Sequence, residues 1–272
     1  MGKRLLYLFV LVFLAAALLQ FFLGNPDPGI FAFPVNAVML LALVGGLYVL
    51  YREKEKSPLV ASLSSGQAAV VAILLTGLNA LLMVFFPGLE WQKSWIFDAC
   101  LLMLFTNLFL VLLRYKGANR IRFYLNHAGL FVFVAALAFG AADMRTMRAA
   151  VNVGETIDKA YTREGNTHSL GYTLRLDSFE ADFYEGSNRV PADFRAVVVV
   201  DGERHTLRVN EPWHRSWKED VYLSGYDTRA GRESEYCVLE FVIQPWKYIA
   251  LTGLLLFAAG ALMLVWGGKN RT

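Results

Sequence analysis

Tyr236-Cys-Val-Leu-Glu-Phe-Val-Ile243-Gln-Pro245-Trp246, followed without a break by an apolar run over 247–267, carries both halves of the fold. The β-branched and aromatic residues from Tyr236 to Ile243 read as a strand, and Pro245 ends it. The run that follows is long enough to cross a hydrocarbon core as a helix. Trp246 and Tyr248 stand at its start, where amphipathic rings suit a membrane–water interface. A water-facing β segment therefore feeds directly into a membrane helix.

Further apolar runs of spanning length lie at 5–23, 34–51, 67–87, 94–113 and 127–144. The expected fold is a membrane α-helical protein of about six transmembrane helices. A small extracytoplasmic, mainly-β domain is inserted before the last helix. The expected divisions are 1–66 (two additional helices), 67–144 (three helices), 145–246 (the β-rich domain) and 247–272 (the final helix and tail). Composition agrees. Of 272 residues 56% are hydrophobic and 18% charged, which is not the balance of a water-soluble chain. Mean hydropathy is +0.41. A net charge of +3 is too small to argue for nucleic acid. Cys100 lies in an apolar segment and Cys237 in the polar one, with no CxxC. A disulfide framework, a thiol redox pair and a zinc site are thus unsupported.

Basic residues set the expected orientation. Lys3 and Arg4 precede the first run; Arg52, Lys54 and Lys56 follow the second. Arg114, Lys116, Arg120 and Arg122 lie between the fourth and fifth, and Lys269 and Arg271 follow the sixth. The alternate segments are nearly free of them: 24–33 has none and 88–93 only Lys93. Both termini and the 52–66 and 114–126 loops are expected in the cytoplasm. Residues 145–246 are expected on the periplasmic or outer side of a bacterial inner membrane. The first run resembles a signal peptide, but it is long and lacks a convincing small-x-small site before Asn25, so a retained helix is expected.

Within 145–246, Tyr172-Thr-Leu-Arg-Leu-Asp177 and His205-Thr-Leu-Arg-Val209 alternate with period two. Val197–Val200, Asp201-Gly202 and the His205 run predict a hairpin, because Asp-Gly suits a type I′ turn. Val221-Tyr-Leu223 is a further strand candidate. No stretch here has a helical period.

His127 is the only histidine in an expected span, at its cytoplasmic start. Neutral imidazole is a good iron ligand, and ionisable groups at membrane depth mark functional sites. The competing reading is an interfacial histidine touching headgroups or a loop carbonyl. One intramembrane histidine also sets a limit: any second axial ligand to a haem must come from another chain or be absent. Lys93, Asp98, Asp143 and Arg145 lie near one level, suited to ion pairing or to reaching water. Asn79, Thr106 and Asn107 suit interhelical hydrogen bonds, and Gly129 and Gly140 close helix packing. Trp213, His214 and Trp217, in a segment rich in aromatics, suit a docking surface for a flat apolar ligand or a protein. Ordinary packing of a β-domain explains them equally well. His168 and His205 read as solvated residues. The nucleotide-loop, zinc-protease and nucleophile-elbow patterns are absent, so self-contained catalysis is not expected.

From the third run onward the order of parts resembles the ResB/CcsB family of cytochrome c biogenesis (System II). The residues that carry the resemblance are Ser94-Trp95-Ile-Phe97, Asn126-His127-Ala-Gly129, Val151-Asn-Val153-Gly154-Glu155-Thr156 and Leu174-Arg-Leu-Asp177-Ser-Phe179 running into Asp182-Phe183-Tyr184. Arg208-Val-Asn210-Glu-Pro212 and Val221-Tyr-Leu-Ser224-Gly225-Tyr-Asp227 complete them. The first two runs lie outside the usual core of that family, and the β region is short for it. The tryptophan-rich WWD signature of the partner, CcsA, is missing, since Trp213 and Trp217 do not reproduce it. The resemblance implies an accessory, non-catalytic subunit that pairs with a CcsA-like membrane protein. Such a pair moves haem outward and delivers it to the CxxCH motifs of apocytochrome c. It agrees with His127 as a candidate ligand to haem iron; Trp213, His214 and Trp217 are further candidates for contact with haem from their aromatic setting, although Trp213 and His214 stand where many members carry plainer residues. The alternatives from other classes are a membrane-anchored scaffold whose β-domain docks a partner without haem, and a small-solute transporter. The chain shows no inverted repeat to support the transporter.

Overall fold

The computed structural model describes residues 2–184 and 191–267. Lys269 and Arg271, two of the residues used for orientation, lie outside them. The described chain forms two compact units. One runs up to Ala142 and resumes at Trp246; the other is Asp143–Pro245.

The first unit contains α1 (Lys3–Leu23), α2 (Val35–Lys54), α3 (Pro58–Leu63), α4 (Gly66–Phe85), α5 (Trp95–Arg114), α6 (Arg120–Gly140) and α7 (Lys247–Gly267). All but α3 are long and apolar enough to cross a membrane. At 1.5 Å per residue, twenty residues give about 30 Å, the thickness of the hydrocarbon core. Their outward faces carry large apolar side chains such as Phe21, Leu41 and Leu255, a surface suited to lipid and not to water. The chain is a multi-pass membrane protein.

Serines start three of these helices by accepting a backbone N–H with their hydroxyls. Ser57 accepts from Val60, Ser65 from Ala68 and Ser94 from Phe97. Ser57-Pro58 also explains α3, which falls within the expected 52–66 loop: a cap and a proline at the first helical position favour a turn of helix. Val60 and Leu63 then bury themselves in the bundle.

α5 is the hub, with nine buried residues. Buried amides tie the helices together, as the sequence suggested for Asn79 and Asn107. The Asn107 amide donates to the carbonyls of Leu63 (2.7 Å) and Ser65 (3.2 Å). The Asn79 amide donates to Cys100 Sγ at 3.2 Å, and that of Asn36 to the Phe139 carbonyl at 2.8 Å. Each such bond in a membrane contributes about 1 kcal/mol. Lys93 pairs with Glu90 of its own 3₁₀ turn (2.7 Å), one short step away in sequence.

α6 and α7 pack backbone against backbone. A Cβ on Gly129 would lie 2.4 Å from the Phe257 nitrogen, and one on Gly253 2.4 Å from the Phe133 nitrogen. Glycine is what this approach requires. Gly140 similarly leaves room for the Trp246 side chain.

The second unit is one antiparallel sheet of eight strands. These are β1 (Arg145–Asn152), β2 (Thr156–Tyr161), β3 (Thr167–Phe183), β4 (Pro191–Val200), β5 (Glu203–Arg208), β6 (Trp213–His214), β7 (Glu219–Tyr226) and β8 (Tyr236–Ile243). Their order is β5-β4-β3-β2-β1-β8-β7-β6. The sheet curls until β5 comes beside β6 and β7. Alternate residues then fill one core: Met147, Ala149 and Val151 from β1, Leu174 and Leu176 from β3, Val198 from β4, Val221 from β7, and Cys237, Leu239 and Phe241 from β8. Between β4 and β5, Val200 pairs with Glu203. Asp201 (φ 52°) and Gly202 (φ 82°) both have positive φ, as a type I′ turn demands.

Candidate functional site

α6 begins at Arg120, seven residues before His127, and not at His127 as the apolar run suggested. Arg120 and Arg122 read as loop in sequence. In the structure they belong to the first turn of the helix, and an arginine there keeps its charged end in water while its stem lies along the helix. His127 consequently sits about 10 Å along the helix axis from its start.

The imidazole of His127 is half-buried and held on two sides. The Phe123 ring stacks on it at 4.0 Å and 20°, and Tyr115 stacks in turn on Phe123 at 3.5 Å and 2°. His127 Nδ1 lies 3.1 Å from the Phe123 carbonyl. A carbonyl only accepts, so Nδ1 is the donor of that bond. In the neutral ring Nε2 then keeps its lone pair and is the ring atom left to bind something else. An imidazole held this way by a backbone carbonyl is the usual supporting arrangement of a metal-ligating histidine.

His127 lines a half-open groove of about 320 Å³ together with Tyr115, Asn119, Arg122, Phe123 and Asn126. Leu130, Phe257 and Leu264 form its apolar side. One wall is aromatic, one apolar and one polar, and among the described residues no carboxylate lines it. The sequence singles out His127 among these lining residues and not the others. Phe123 had a local signal, since it stands four residues earlier on the same helical face; Tyr115 and the α7 residues are brought in only by packing.

Trp213, His214 and Trp217 belong to the β unit. Trp213 packs against the core and stacks on His205 at 4.1 Å and 17°. His205 is therefore a packed residue and not the solvated one expected. His214, the next residue along the strand, has its side chain 69% exposed, and its Nδ1 is 2.7 Å from Asp220 Oδ1. Trp217 is 60% exposed. Beneath them lies a feature with no local sequence signal. Glu219 is buried and accepts from the Tyr172 hydroxyl (2.8 Å) and from Arg215 (2.9 Å), while Arg215 lies over the Tyr172 ring at 3.7 Å. Burial, reinforced by the Glu219 charge, pushes the Tyr172 phenol well above its ordinary value. Among the described residues no cluster of three or more metal-ligating side chains occurs.

Among the described residues, six helices of spanning length, with a curled β unit between the sixth and seventh helices of the chain, define a multi-pass membrane protein with one inserted β unit. Residues 116–264, more than half of the chain, match the ResB-like family, and the chain belongs to that family. Membership implies a membrane protein of cytochrome c biogenesis, a family of generally non-catalytic factors. No curated protein matches the chain.

Proposed function

We propose that this chain is the accessory subunit of a System II cytochrome c assembly complex, and that His127 ligates haem iron while haem passes to the outer side. Haem is cargo here. The CcsA-like partner supplies the second axial ligand and the chemistry that joins haem to the CxxCH motif of apocytochrome c. The observation that carries this reading is the His127 ring, set in the groove wall with Nδ1 donating to Phe123 and Nε2 left as an iron ligand. A neutral imidazole binds iron without placing a formal charge in the membrane. The groove takes one edge of a flat apolar ligand and leaves its other face to a second chain. Both termini lie in the cytoplasm in this reading, so His127 meets haem near its point of entry.

The test is co-expression of the His127→Ala variant with the partner. Complex yield should hold, while haem absorbance and covalent cytochrome c fall at least tenfold (about 1.4 kcal/mol or more), and added imidazole should restore part of the haem. Full haem and full cytochrome c in the variant would overturn the assignment. A scaffold role for the β unit is the second reading, favoured by the exposed Trp217 beside His214. A wild-type complex devoid of haem, with partner binding lost on Trp217→Ala, would establish it instead.

A further inference from the structure

We infer that Arg122 binds the rim carboxylates of the porphyrin whose iron His127 holds, and so selects haem as a dicarboxylate; this rests on the proposed role of His127. Arg122, Asn119 and Asn126 form the polar wall of the His127 groove. Two basic side chains nearby are already engaged: Arg114 donates to Ser64, and Lys116 pairs with Glu55 at 3.3 Å; Arg120 is exposed and does not line the groove. Among the described residues Arg122 enters no ion pair. Arg122 is half-buried at a groove whose described lining holds no carboxylate, and the fork geometry of its guanidinium fits a carboxylate with two parallel bonds.

Arg122 and His127 are five residues apart on α6, about 7.5 Å along the axis. A metalloporphyrin carries its metal at the centre and its acids on one rim, so ligand and cation on one wall must be separated in this way. The Tyr115–Phe123–His127 stack fixes the imidazole between the polar and apolar walls. An anionic lipid shares the chemistry of an acid on an apolar body. The groove favours the porphyrin because, with Nδ1 donating to Phe123, the neutral ring offers a metal its Nε2 lone pair and a phosphate no proton.

The purified complex in a neutral detergent separates these cases by absorbance titration with iron protoporphyrin IX and with its dimethyl ester. The wild type should bind the diacid about tenfold more tightly than the diester, the size of one charge-assisted bond. Arg122→Gln should erase that preference, and Arg122→Lys, which keeps the charge and loses the fork, should retain part of it. His127→Ala should weaken diacid and diester alike. Retention of the full preference by a folded Arg122→Gln complex overturns the inference while leaving His127 as ligand. Loss of the preference on adding phosphatidylglycerol to the wild type also overturns it, since the cation then serves a lipid headgroup. A wild type that binds neither porphyrin overturns both the inference and the reading it rests on.

Discussion

His127, Glu219 and Cys237 are each defined by what one neighbour does to them. For His127 the neighbour is a carbonyl one turn back, which assigns the proton of the ring and with it the free nitrogen. Glu219 is a buried carboxylate kept tolerable by Tyr172 and Arg215. Removing Arg215 leaves that charge one partner short, so Arg215→Ala should destabilise the β unit by about 3 kcal/mol, read by thermal unfolding. Cys237 lies in the β core, where burial pushes its thiol from 9.0 up to about 12. The folded thiol then keeps its proton at pH values where the unfolded chain gives it up. Stability is complete below pH 9 and falls by about 1.4 kcal/mol per pH unit as pH climbs from there toward 12. Denaturant unfolding of wild type and Cys237→Ala over that range checks this: the variant should lose less stability as pH rises.

At the scale of elements, the close pairing of α6 with α7 depends on glycine. Gly129→Ala puts a methyl group into the backbone of the other helix, and about 1–3 kcal/mol of packing should be lost, measured as a lower melting temperature in detergent. The turn at Asp201-Gly202 makes a milder claim: Gly202→Ala keeps the hairpin but strains a positive φ, costing about 1–2 kcal/mol. Both features were legible in the sequence, Gly129 as a small residue in a span and Asp-Gly as a turn between alternating runs. β1 and β2 were not. Ala149 and Ala150 stand next to each other in β1, one buried and one exposed, so the alternation that places Met147 and Val151 inside is invisible to hydrophobicity. The true start of α6 was hidden because arginines at a helix end look like a loop. The groove was hidden because Phe257 and Leu264 of its wall come from α7, more than a hundred residues further along.

For the whole molecule, orientation is the property that basic residues decide. Alkaline phosphatase fused after Val200 should be active in a bacterial host, and a fusion after Ala118 inactive; the reverse pattern would invert the proposed topology. The β unit also starts and ends in neighbouring strands. β1 pairs with β8 along its entire length, from Arg145 with Ile243 to Asn152 with Tyr236. Those partners are roughly 90 residues apart in sequence, and closing such a loop from a free chain costs about 4 kcal/mol in its length-dependent entropy. The covalent links to α6 and α7, themselves in backbone contact, should meet part of that cost if the helices pair first. Insertion of the two helices should then act as a folding template for the β unit between them. The excised unit should refold more slowly than the tethered one, with the delay located in the β1–β8 ladder.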